Sequence, residues 1–206
     1  MSALELIDTE YSGNAWKVRL LAGLVGVPLA RRTVSIVDGD LEQPWFREVN
    51  PFLQVPVLRT REGTWLAESM AILWYLGAGS AYVPDDAAAQ ARTLQWLSFE
   101  QTLHMHNFAQ PRLWVHLRKT MSLDDPKVGE WQKNGYVALD MMEAWLAAQP
   151  YFGGEHPTVA DVALYPYTAM AGEGGYQLTE YPRVQAWLKR IESLPGYQPL
   201  LQKDTQ

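Results

Sequence analysis

The sequence predicts an α/β N-terminal domain of βαβ-ββα order followed by an all-helical domain. Three observations predict it. Short runs of strand-forming residues are confined to residues 1–80. From Ala87 onward these runs vanish and long helical patterns take over. Between the two, Gly77 to Asp86 carries Gly-Ala-Gly-Ser and Pro84-Asp85-Asp86, which interrupt either kind of element. The expected boundaries are residues 1–80 for the first domain, 81–86 for the linker and 87–206 for the helical domain.

Each element has a local reason. Leu4-Glu5-Leu6-Ile7-Asp8 is apolar enough for a short strand. The turn-formers Ser12-Gly13-Asn14 follow, and Ala15 to Val25 reads as a helix stopped near Gly26 and Pro28. Arg32 to Val37, rich in β-branched residues, is the expected second strand, so the order is that of a right-handed parallel crossover. A polar loop at Asp38-Gly39-Asp40 leads to a short helix around Pro44 to Val49. Pro56 to Thr60 and Thr64 to Leu66 form a hairpin about Arg61-Glu62-Gly63. Ser69 then reads as the N-cap of a helix over Met70–Leu76, closed by Gly77. Helical patterns over Ala87–Leu117, Pro126–Ala148, Val159–Met170 and Arg183–Ser193, parted by short breaks, imply a bundle.

Composition narrows the partners. The chain has 206 residues, 48% hydrophobic and 19% charged, as in an ordered globular protein. Its net charge of −6, with no basic cluster, argues against nucleic acid or an anionic membrane. The first residues lack the basic and apolar regions of a signal peptide, and no apolar run is membrane-spanning in length, so a cytoplasmic protein is expected. There is no cysteine, which removes disulfides, thiolate metal sites and a cysteine nucleophile. The four histidines include His104 and His106, whose spacing sends them to different sides of a helix, and no metal site is expected.

Three constellations could carry chemistry. In Gln54-Val55-Pro56, Pro56 leads a strand and is a candidate cis peptide that would turn the Val55 N–H and C=O outward to an extended ligand. In Glu68-Ser69, the helix start could hold a carboxylate while Glu68 pairs with an ammonium, together fitting an α-amino-acid head; the plain alternative is a helix cap. In Tyr11-Ser12-Gly13-Asn14, the hydroxyl and amide either cap the helix or donate to a thiolate ligand. A free thiol titrates near ~8.5, so it is mostly protonated at neutral pH. One hydrogen bond to the charged form, worth ~1.5–3 kcal/mol, lowers that pKa by about one to two units.

The ordered set Ser12-x-x-x-Trp16-x-Val18-Arg19, Gln54-Val55-Pro56, Glu68-Ser69 and Ala71-Ile72-Leu73-x-Tyr75-Leu76 resembles glutathione transferases. Thr158-Val159-Ala160-Asp161 is similar to that family's helix-capping box, and Tyr181-Pro182-x-Val184-x-x-Trp187 to its segment before the last helices. The resemblance covers essentially the whole chain and implies a thioredoxin-like first domain. It further implies that Val55 and Pro56 clamp the cysteinyl backbone of glutathione, that Glu68 and Ser69 hold its γ-glutamyl head, and that Gln54 lies nearby. Ser12 stands where the serine-type classes keep their thiol activator, with Asn14 as the other candidate; Asp8 stands about where other classes place a tyrosine. Glutathione would be a co-substrate and no metal would be needed.

In the helical domain the resemblance puts Gln101 near glutathione, across the interface of a two-fold homodimer. Tyr11, His104 and Arg112 are the candidate electrophile pocket. For His104 the alternatives are catalysis or a plain wall or solvated face. For Arg112 they are stabilisation of developing charge or a surface ion pair. The implied activity is conjugation of glutathione to a hydrophobic electrophile. A peroxidase, reductase or isomerase on the same site, or a non-catalytic binding protein, are the other readings. Lacking cysteine, the chain can form no mixed disulfide with glutathione.

Overall fold

The computed structural model describes residues 4–36 and 38–201. The chain divides into two compact units: one runs to Ser80 and takes back the chain from Pro195, and the other is Ala81–Leu194.

The first unit is a mixed four-stranded sheet with helices, in the expected βαβ-ββα order. It comprises β1 (Leu4–Asp8), α1 (Gly13–Leu24), β2 (Leu29–Thr33), α2 (Pro44–Val49), β3 (Val57–Arg59), β4 (Trp65–Leu66) and α3 (Ser69–Gly77). The strand order is β2-β1-β3-β4, with β1 parallel to β2 and antiparallel to β3. Leu6 and Ile7 point to opposite faces of β1 and both are fully buried, so the sheet is covered on both sides. On one side Ile7 and Val57 pack with Val34 and Phe46. On the other, α1 and α3 pack together.

The second strand differs from its expected position. It is Leu29–Thr33 rather than Arg32–Val37, and Val37 lies outside the described residues. Pairing decided the matter over composition: Leu4 meets Leu29 and Asp8 meets Thr33, after which β1 has no residue left to pair. The edge strand can be polar because four of its five side chains are exposed. Arg32 among them lies over Trp45, 3.8 Å from the ring centroid.

The second unit is helical: α4 (Ala87–Phe99), α5 (Met105–Pro111), α6 (Pro126–Trp145), α7 (Val159–Ala169) and α8 (Pro182–Glu192). The expected helix over Ala87–Leu117 is one run interrupted by π-helical turns at Glu100–His104 and Arg112–Leu117. The capping box at α7 is present in full. Asp161 is entirely buried and accepts hydrogen bonds from the N–H groups of Phe152 (2.8 Å) and Thr158 (2.9 Å) and from Trp187 Nε1 (3.0 Å). Burial raises its carboxyl above the usual range, and these donors pull the other way.

The segment from Pro195, assigned by the sequence to the helical domain, groups with the α/β unit. Trp16 Nε1 donates to Gln198 O at 2.7 Å and Arg19 to Leu200 O at 3.0 Å. Gly196, at φ 86°, runs so close to Gly23 that a Cβ on either would collide with the other's backbone.

Candidate functional site

The sheet register gathers the three constellations of the α/β unit. Ile7 at the end of β1 pairs with Val57 at the start of β3, so the Thr9–Ser12 turn and Val55-Pro56 leave the sheet at the same end. Leu58 pairs with Leu66, and extending that register sets Pro56 opposite Glu68. Ser12, Val55 and Glu68 therefore converge through elements adjacent in the sheet, although Ser12 and Glu68 are far apart in sequence.

At the start of α1, Ser12 is the N-cap and its Oγ accepts from Ala15 N at 3.2 Å. The bond uses a lone pair, so the hydroxyl proton is still available to a ligand. Cap and donor are thus compatible roles. Asn14 occupies the second helical position, and its Oδ1 accepts from Lys17 Nζ at 2.7 Å. Among the described residues, the N–H groups of Gly13 and Asn14 open the helix without acceptors of their own.

Before β3, the Val55–Pro56 peptide is cis. Asn50 ties the preceding loop, donating through Nδ2 to Gln54 O (2.8 Å) and accepting from Phe52 N (3.1 Å). The Gln54 side chain is exposed. Among the described residues, neither Val55 N–H nor Val55 C=O has a hydrogen-bond partner, although its side chain packs on the core. A main-chain donor and acceptor on one residue are what an extended ligand backbone would pair with.

At α3 the structure corrects the expected cap. The helix begins at Ser69 itself and Glu68 stands at the cap position, with no side-chain capping bond. Glu68 is exposed at φ 66° and ψ 118°, a conformation that non-glycine residues rarely hold without a functional reason. Ser69 is buried, and among the described residues no protein acceptor meets the N–H groups of Ser69, Met70 and Ala71. A helix start left open in this way favours an anion.

The remaining sequence-predicted residues are distributed differently. Tyr11 is half exposed. In the helical unit His104 is fully buried, with Nε2 2.8 Å from Thr168 Oγ1 and its ring stacked on Phe108 at 4.4 Å. Arg112 is also buried, its Nε donating to Glu173 Oε2 at 2.6 Å. Both side chains are buried against partners within the helical unit. Gln101 donates to Glu100 Oε2 at 2.8 Å. Asp8 is buried between Arg19 (2.6 Å) and Arg31 (3.1 Å), and burial lowers the Arg19 pKa. Sequence reasoning missed Lys17, which is fully buried. Its signal was a lysine within the apolar run Ala15-Trp16-Lys17-Val18, three residues after Asn14.

Comparison with known proteins decides the family. The glutathione S-transferase N-terminal domain model matches residues 11–78 and the C-terminal domain model matches residues 113–195. Glutathione S-transferase theta-2 from Homo sapiens is 30% identical over 94% of this chain and 82% of its own length. The chain belongs to the glutathione S-transferase family. Within it, a crystal structure of a glutathione S-transferase from Pseudomonas fluorescens superposes with a TM-score of 0.93 at 38% identity, covering 98% of this chain and 100% of the other. Maleylpyruvate isomerase from Ralstonia sp is 30% identical over 89% of both chains. The thioredoxin-like α/β unit followed by a helical unit is this family's fold. Among the described residues no three acidic, histidine or cysteine groups could share a metal ion, and no helix is long and apolar enough to cross a membrane.

Proposed function

We propose that this chain is a glutathione transferase that binds glutathione along the end of the sheet, stabilises its thiolate and joins it to an electrophilic small molecule. The start of α3 carries the proposal: exposed Glu68 at φ 66°, buried Ser69, and helix N–H groups with no protein acceptor among the described residues. The α-carboxylate of the γ-glutamyl head would take those N–H groups and the Ser69 hydroxyl, and its ammonium would pair with Glu68. Val55 would bond the cysteinyl N–H and C=O through its main chain, with Gln54 beside it and Pro56 shaping the turn. The thiol would then meet the start of α1, where Ser12 and Asn14 are the candidate donors. The thiolate attacks the electrophilic carbon, its electron pair forms the C–S bond, and the leaving group departs with the pair it shared. Tyr11 is the proposed contact for the electrophile. Glutathione is the thiol pool of the cytosol, which makes a cytoplasmic protein the fitting location.

A second reading, isomerisation, is favoured by the similarity to maleylpyruvate isomerase. There the same thiolate would add to a conjugated double bond, allow rotation about the new single bond, and leave again. Incubation with glutathione and an aryl halide, an organic hydroperoxide or a conjugated cis diacid separates the readings by product. Thioether formation is expected; isomerised diacid alone would favour the second reading. Absence of any glutathione-dependent turnover, with no glutathione binding, would overturn both.

A further inference from the structure

Lys17 is the one buried cation of the α/β unit that sits next to a proposed thiolate donor among the described residues. Its side chain has no solvent exposure, and its Nζ lies 2.7 Å from Asn14 Oδ1, one turn back along α1. Two features make lysine an unexpected choice there. Burial of an ammonium is costly. From the fifth helical position the Lys17 Nζ also reaches back to the first turn of α1, the positive end of the helix dipole, which disfavours a second positive charge. Both objections weaken when an anion occupies the helix start.

The contact has a stereochemical consequence. An ammonium can only donate, so the Asn14 atom it meets is the oxygen, and the amide nitrogen is directed elsewhere. Among the described residues no protein acceptor takes Asn14 Nδ2. We propose that Lys17 is a positioning residue for thiolate stabilisation: it holds the Asn14 oxygen, so that Asn14 Nδ2 donates to the glutathione sulfur. The proposal rests on the glutathione reading above and assigns Asn14 a donor role fixed from behind rather than by the ligand.

The test reads the pKa of bound glutathione from thiolate absorbance against pH, with glutathione affinity and urea midpoint measured alongside. Lys17→Met should raise the bound thiol's pKa by about one unit, which removes about tenfold of the thiolate at neutral pH. The conjugation kcat should fall by a similar factor, with KM for glutathione changed less than about twofold. Asn14→Ala should raise the same pKa, and Lys17→Met added to it should produce no further shift. A Lys17→Met variant that loses stability and keeps the wild-type thiol pKa would overturn the proposal, as would equal, additive shifts in both backgrounds. If Lys17→Met fails to fold, Asn14→Ala still decides, because an unchanged thiol pKa there leaves Lys17 nothing to position. A wild-type protein that binds no glutathione overturns the functional reading itself, a result distinct from all of these.

Discussion

Ser12 and Glu68 illustrate two ways in which a residue can be ready for a ligand. Ser12 answers Ala15 N–H with a lone pair and keeps its proton to give away. Ser12→Ala should therefore have two separable effects. Loss of the cap should cost about 1 kcal/mol of stability. Loss of the donor should raise the bound thiol's pKa by about one to two units and slow conjugation near neutral pH by roughly ten- to a hundredfold. Urea unfolding and thiolate absorbance measure the two independently, and a stability loss without a pKa change would reduce Ser12 to a cap. Glu68 is ready in another sense, because its backbone is held at φ 66° with the side chain exposed and uncommitted to a cap. Both residues stand out in the sequence as candidates. The start of α3 lies one position earlier than the sequence suggests, because a serine before an apolar run is the usual cap and only the folded backbone places a glutamate there at positive φ.

Among the elements, the helices were read within a few residues of their ends, since periodicity and caps are local signals. The second strand was not, because its register depends on β1 rather than on its own composition. The π-helical turns and the burial of His104 and Arg112 were likewise illegible: a helical pattern does not reveal which polar side chains face inward. The junction of α6 and α8 offers a check on electrostatics. Tyr181 donates to Asp140 Oδ1 at 2.9 Å, and burial first, then that bond, push its hydroxyl up to about 12. The fold holds this proton more tightly than the unfolded chain, which releases it near ~10. The resulting stabilisation is complete below about pH 10 and is lost as pH climbs toward 12. Tyr181→Phe should accordingly destabilise by about 1 kcal/mol at neutral pH. The gap to wild type should close above pH ~10, as equilibrium unfolding across pH would show. A gap that widens with pH would contradict the assignment.

For the whole molecule, the chain divides at Ser80 and returns from Pro195 to the α/β unit. That return rests on long-range contacts such as Trp16 with Gln198, which leave no pattern in either segment. A two-fold homodimer is the proposed assembly, on the likeness to the glutathione S-transferase family. Light scattering should return about twice the 23.3 kDa chain mass at micromolar concentration; the monomer mass would refute it. The central claim, that glutathione binds with its γ-glutamyl head at the start of α3, is tested most directly by calorimetric titration of glutathione into the wild type and Glu68→Ala. Global attraction cannot supply the affinity, because the protein carries a net charge of −6 and glutathione is itself anionic. The wild type should bind, and loss of the ammonium's partner should weaken binding by ~1.5–3 kcal/mol, roughly ten- to a hundredfold. Unchanged affinity in Glu68→Ala, or no heat of binding in either protein, would contradict it.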